Sequence, residues 1–290
     1  MDRTQAVACV IAAVLLASCG KSGRIVVGSK NFTEQVILGE IVAQHLERSL
    51  GVKVDRKLNL GGTLLAHQAL LNGQIDLYPE YTGTALTAVL KLPVSRDAAE
   101  VARRVAAEYS SRWNIEWLPS LGFNNTFAMV INGGFETLSH AAARSQPWKL
   151  GVGYEFLTRP DGLPGLLETY RLKLDGTPRS MDLGLLYQAL KQNQVDMVAG
   201  NATDGLIAAM GLTPLRDDKQ YFPPYEAALA VRRAALEANP RLRESLAALS
   251  GKITTEAMRN MNYQVDGRHR PVRDVAREFL VGQAVSPAGR

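Results

Sequence analysis

An internal echo constrains this chain more than any other feature. Gln68-Ala69-Leu70, followed by Gln74-Ile75-Asp76-Leu77, returns in the same order as Gln188-Ala189-Leu190 and Gln194-Val195-Asp196-Met197, at one constant offset. Upstream of each copy, Val27-Gly28-Ser29 is echoed by Val152-Gly153-Tyr154. A helix-then-strand match beside a strand-then-glycine match, in one order, predicts two similar α/β lobes within the 290 residues.

Around the first copy, short β-branched runs alternate with amphipathic stretches: Ile25-Val26-Val27, a helix from Glu34 to Leu50, Val52 to Leu58, a helix from Leu64 to Leu71, then Ile75-Asp76-Leu77. That alternation predicts βαβ units and a mainly parallel sheet, with Thr33 and Thr63 as helix N-caps. Ligands of open α/β sheets sit beyond the carboxyl ends of the strands. The candidates are therefore Ser29-Lys30-Asn31 and Tyr78-Pro79-Glu80-Tyr81 in one lobe, and Tyr154-Glu155-Phe156 and Asn201-Ala202-Thr203-Asp204 in the other. The repeat offset pairs Tyr81 with Asn201 and Thr84 with Asp204, on opposite walls of one cleft. Gly61-Gly62-Thr63 suits both a tight turn and a helix N-terminus offered to a carboxylate. Glu155 and Arg159 read as a salt-linked loop, and Asp204 as either facing a cation or capping a helix.

Two segments read as crossings between lobes: Gly122 to Phe127 leads into the second half and Tyr221-Phe222-Pro223-Pro224-Tyr225 leads out of it, each followed by a strand-like run. The prolines lock φ and narrow the return path, while Asn124-Asn125 tolerates unusual backbone angles. The chain thus divides into a lobe at 24–126 and 225–290, its C-terminal part helical, and a second lobe at 127–224.

The N-terminus obeys different rules. Arg3 precedes a mostly apolar stretch from Ala6 to Ala17, too short to span a bilayer as a helix and suited to a secretory signal. It ends Leu16-Ala17-Ser18-Cys19-Gly20, which resembles the bacterial lipobox, so residues 1–18 are expected to be removed, Cys19 to carry lipid and 19–23 to form a tether. Cys9 and Cys19 are the two cysteines, so the mature chain retains one and forms no internal disulfide. The net charge of +5 is scattered in basic pairs such as Arg103-Arg104, which reads as solvated surface and not as a nucleic-acid face.

Ser29 to Gln35, Leu58 to Thr63, Tyr78 to Thr84, Gly122 to Thr126, Glu155 to Gly162, Thr203-Asp204-Gly205 and Asp217 to Tyr225, in that order, resemble the substrate-binding proteins of glycine betaine, choline and osmoprotectant ABC importers. The resemblance implies a type II periplasmic-binding-protein fold: two α/β lobes, a double-crossover hinge, and a ligand cleft between them. It also implies a small quaternary amine or zwitterion as ligand, held partly by aromatic faces, and delivery to the transmembrane subunits of an ABC permease. A trimethylammonium donates no hydrogen bond, so ring faces are its natural partners. On matching positions the site falls to Gln35, Tyr81, Thr84 and Asn125, joined by Phe127, Tyr154, Asn201, Asp204 and Tyr225. Phe127 stands where relatives frequently carry tyrosine, and Asn201 where relatives with a full cage often carry an aromatic.

An enzyme is the competing class. The four histidines are isolated, and no Gly-x-Ser-x-Gly, His-Glu-x-x-His, Walker or Gly-x-Gly-x-x-Gly sequence occurs, leaving only Glu80 and Asp204 as carboxylates for acid–base work. No enzyme activity, cofactor or metal is expected. Other small solutes, an amino acid or a thiol-histidine betaine, and a sensing module that binds without transport, stay open.

Overall fold

The computed structural model describes residues 24–285. The expected signal segment and Cys19 lie outside the described residues. Ten strands form two five-stranded sheets of the same design: β1 (Ile25–Gly28), β2 (Val54–Lys57), β3 (Leu77–Tyr81), β4 (Ile115–Trp117) and β10 (Ala227–Arg232) in one, and β5 (Phe127–Ile131), β6 (Leu150–Val152), β7 (Arg179–Ser180), β8 (Met197–Asn201) and β9 (Thr213–Pro214) in the other. Their orders are β2-β1-β3-β10-β4 and β7-β6-β8-β5-β9. The echoed strands β3 and β8 are the central strands of the two sheets, which explains why their sequences match.

Each sheet is mixed, where a mainly parallel one was expected: one strand runs against the other four, β10 pairing antiparallel with β3 and β4, and β5 antiparallel with β8 and β9. Both antiparallel strands enter directly from a crossing, so the chain arrives at the sheet from the hinge end and must run backwards. A second correction concerns β3, which begins at Leu77: Asp76 ends the preceding turn by donating its N–H to Val26 O, and Tyr78 to Tyr81 lie inside the strand rather than after it. Tyr81 and Asn201 are the last residues of β3 and β8.

The two crossings run side by side. Asn125 N donates to Tyr225 O at 3.0 Å, and Tyr225 N donates to Asn124 Oδ1 at 2.8 Å. The return crossing also presses on Gly83, where an added Cβ would lie 2.6 Å from Pro224 O, so the Tyr-Thr-Gly-Thr segment needs glycine for this approach.

The first described helix, Thr33–Leu50, ends at Gly51 with φ 68° and carries a buried stripe from Ile37 to Leu46. The last one, Val272–Val285, packs along it. Helix Thr255–Asp266, capped by Thr254 accepting from Ala257 N at 3.1 Å, touches both lobes: it packs on the first helix and on Gly205–Ala209. It was expected against the first lobe. The close contact comes through Gly205, whose Cα abuts Tyr263. Among the described residues no helix is long and apolar enough to cross a membrane.

Candidate ligand cleft between the lobes

A cavity of about 850 Å³ lies between the two sheets, within the size range of small-molecule sites. Of the nine positions read from the sequence, Tyr81, Thr84, Asn125, Phe127, Tyr154, Asn201, Asp204 and Tyr225 line it. Gln35 does not. It is fully buried behind the wall, its Oε1 accepting from Lys30 N at 3.3 Å. Tyr154 stands at the mouth, 62% exposed. Glu80 and Asp204 do not form a carboxylate pair: Glu80 is buried in the first lobe and only Asp204 reaches the cavity.

Each lobe sets a paired cation over an aromatic ring. In the first, Lys30 Nζ donates to Glu80 Oε1 at 2.5 Å and sits 4.6 Å from the centroid of the Tyr81 ring and 5.7 Å from that of Phe32, the two rings stacked 6.3 Å apart. In the second, Arg159 grips Asp161 through Nε and Nη2 at 2.9 and 2.5 Å, and its guanidinium lies 5.2 Å from the centroid of Phe127. Burial opposes charge on this pair, but the two groups outweigh it for each other: Asp161 is held below the usual carboxylate range and Arg159 above its ordinary value. Phe127 meets Phe156 edge-on at 5.0 Å and Tyr225 at 5.4 Å, and the Tyr225 hydroxyl donates to Asp161. Tyr81, Phe127, Phe156 and Tyr225 thus border one cavity, together with Phe32, Tyr154 and Tyr187.

At the hinge side the unexpected residue is Glu34. It is buried, and its carboxylate accepts from the Tyr81 hydroxyl at 2.6 Å, Asn125 Nδ2 at 2.8 Å, Asn262 Nδ2 at 3.0 Å and the Thr203 hydroxyl. These donors come from the first sheet, a crossing, helix Thr255–Asp266 and the second lobe, so one carboxylate ties four parts of the chain together. Burial raises its pKa, and the four hydrogen bonds counter that only in part. No cation pairs with it in the described residues. The sequence placed Glu34 only at a helix start; the missed signal was Asn262, a polar residue on the buried stripe formed with Met258 and Met261.

Asp204 begins helix Gly205–Ala209 without capping it; its Oδ2 accepts instead from Asn201 N at 2.9 Å and from the Tyr187 hydroxyl. Burial pushes its pKa up to about 7, helped by Glu34 and Asp266 nearby. Neither threonine expected as an N-cap serves as one. Those positions are held by Phe32 and Gly62; Thr33 Oγ1 donates to Asp266, and Thr63 meets a carboxylate from the other lobe.

Two lobes joined by paired crossings, closing on a cavity of rings and buried charges, define a solute-binding protein. A family model described as the substrate binding domain of an ABC-type glycine betaine transport system matches residues 23–281. The carnitine transport binding protein OpuCC of Listeria monocytogenes is 33% identical over 92% of this chain and 91% of its own length. The ergothioneine transport permease/ergothioneine binding protein EgtU of Helicobacter pylori is 34% identical over 88% of this chain, which spans about half, 47%, of that longer protein. A crystal structure of a glycine betaine/carnitine/choline ABC transporter protein superposes with a TM-score of 0.75 at 32% identity, covering 90% of this chain and 98% of the other. The chain belongs to the family of substrate-binding domains of ABC-type glycine betaine transport systems.

Proposed function

We propose that the protein captures a small quaternary amine or betaine in this cleft and hands it to the membrane subunits of an ABC importer, tethered to its membrane through a lipid on Cys19. The observation that carries the ligand assignment is the union of the rings bordering the cavity with a buried lysine. Methylated ammonium groups seek ring faces, each worth up to about 2 kcal/mol when desolvated. A carboxylate or hydroxyl on the same ligand finds Lys30, whose ammonium has three donors and uses one on Glu80. Arg159 is a weaker partner, because Asp161, Thr84 and Thr87 already engage its donors. Tyr81, Thr84, Asn125, Phe127, Tyr154, Asn201, Asp204 and Tyr225 form the walls in this reading, with Gln35 supporting Lys30 from behind.

A histidine-derived betaine is the second reading. It is supported by Asp204, which lines the cavity and accepts hydrogen bonds, and by the name of the Helicobacter relative. Isothermal titration with glycine betaine, choline, carnitine and ergothioneine tests both. Saturable heat with a quaternary amine, with Kd raised about tenfold in Phe127→Ala, is the expected result. Absence of heat with all four solutes would reject the assignment.

A further inference from the structure

Helix Thr63–Leu71 of the first lobe is left uncapped by its own sequence. Its N-cap is Gly62, no side chain of the flanking segment caps it, and no acidic residue stands in its first turn. A helix start of this kind presents unpaired N–H groups and the positive end of its dipole. The missing anion comes from the opposite lobe. Glu155, in the turn Tyr154–Leu157 after β6, accepts from Thr63 N at 2.6 Å with one carboxylate oxygen and from Thr63 Oγ1 at 2.9 Å with the other. Gly62 makes room for it, since a Cβ there would lie 2.4 Å from Glu155 Oε1.

The same turn reaches the first lobe at a second point. Arg159 N donates to Glu155 O, and Arg159 Nη1 lies 3.8 Å from Glu155 Oε2. The guanidinium continues across the cleft to Thr84 Oγ1 at 3.3 Å and Thr87 Oγ1 at 3.5 Å. One short stretch of the second lobe thus holds the first at the rim through an anion and at the floor through a cation. We infer that Glu155 is a closure latch: it caps the helix of the opposite lobe only when the cleft is shut, and thereby sets how long a bound solute is retained. This rests on the two-lobed cleft and not on the identity of the solute.

The latch can be broken from either side. Glu155→Ala removes the anion, whereas Gly62→Ala keeps every charge and places a methyl where the carboxylate sits; Gly62 has φ −73°, open to alanine. Hydrogen exchange of the full chain saturated with glycine betaine or choline, which holds the cleft shut, is expected to quicken at the Thr63 amide about tenfold in both variants, the scale of losing a hydrogen bond to a charged group. Glu155→Gln, which still accepts one bond, falls between them and the parent. Stopped-flow release of glycine betaine and of choline is expected to speed up to a similar degree for the two solutes. Unchanged exchange in both alanine variants overturns the latch. So does selective tightening of glycine betaine over choline in Glu155→Ala, which would make Glu155 a competitor of the ligand carboxylate. If neither solute binds, the ligand reading falls, and the same exchange is read with carnitine or ergothioneine holding the cleft shut, so that the latch is decided separately.

Discussion

The two lobes place the same device, a carboxylate-paired cation over a ring, on opposite sides of the cleft, but they anchor it differently. Lys30, Glu80 and Tyr81 all belong to the first lobe, and the Glu80 carboxylate is further held by the Tyr81 N–H at 2.7 Å and the Tyr78 hydroxyl at 3.2 Å. Arg159 and Asp161 belong to the second, yet their remaining partners, Thr84, Thr87 and Tyr225, come from the first lobe or from the return crossing. One half of the site is therefore complete before closure, and the other is completed by it. Such an arrangement gives a hinged binding protein one rigid wall to receive the solute and one wall that reports its capture.

The sharpest way to break this comparison is to remove the carboxylate from each pair. Asp161→Ala leaves a buried guanidinium with only the half-exposed Glu155 carboxylate at 3.8 Å, and arginine cannot shed its charge, so a loss of about 3–5 kcal/mol in unfolding free energy is expected. Glu80→Ala is expected to cost less, because lysine can release its proton when buried. Chemical denaturation of the two variants decides the order; equal losses would mean that the pairs are interchangeable.

Next in size is Glu34, the carboxylate shared by four parts of the chain. Glu34→Gln turns an amide N–H₂ toward donors that need an acceptor, and an uncompensated buried group costs about 1–3 kcal/mol. Thermal melts measure it. An unchanged melting temperature would remove Glu34 as the tie between the lobes.

The rings come next. Tyr81→Ala and Phe127→Ala each are expected to weaken a quaternary amine by about 1–2 kcal/mol, roughly tenfold in Kd. Tyr81→Phe keeps the ring and loses only the bond to Glu34, so its binding stays closer to the parent while its stability falls by about 1 kcal/mol. A larger effect on binding in Tyr81→Phe than in Phe127→Ala would show that the hydroxyl, not the face, matters.

A separate test is one of pH. The Asp204 carboxyl titrates at about 7 in the folded chain, far above its ordinary range, so the folded state prefers it protonated. Its contribution to stability is full below the unfolded carboxylate pKa near 4 and is lost as pH rises through about 7. Asp204→Asn is expected to flatten that part of the stability profile between pH 4 and 8, and an unaltered slope would place the proton elsewhere.

Much of this was legible in the chain. The echo of Gln68 to Leu77 in Gln188 to Met197 led to two lobes and to Tyr81 and Asn201 as matching strand ends, because like strands take like places in like sheets. The crossings were marked by Asn124-Asn125 and Pro223-Pro224. What stayed hidden was whatever depends on contact between segments far apart. The strand direction of β5 and β10 follows from where the crossings enter. Glu34 draws its donors from residues 81, 125, 203 and 262, and Glu155 caps a helix of the other lobe. No local pattern encodes such partners.

In the proposed complex the solute's methylated ammonium lies against the rings between the two paired cations. Nuclear Overhauser contacts from the N-methyl protons of bound choline or glycine betaine test it most directly. Contacts to the aromatic protons of Tyr81, Phe127 and Tyr225 are expected, with the methyl resonance moved upfield by the ring currents. A bound solute whose methyl protons show no aromatic contact and no upfield movement would contradict it.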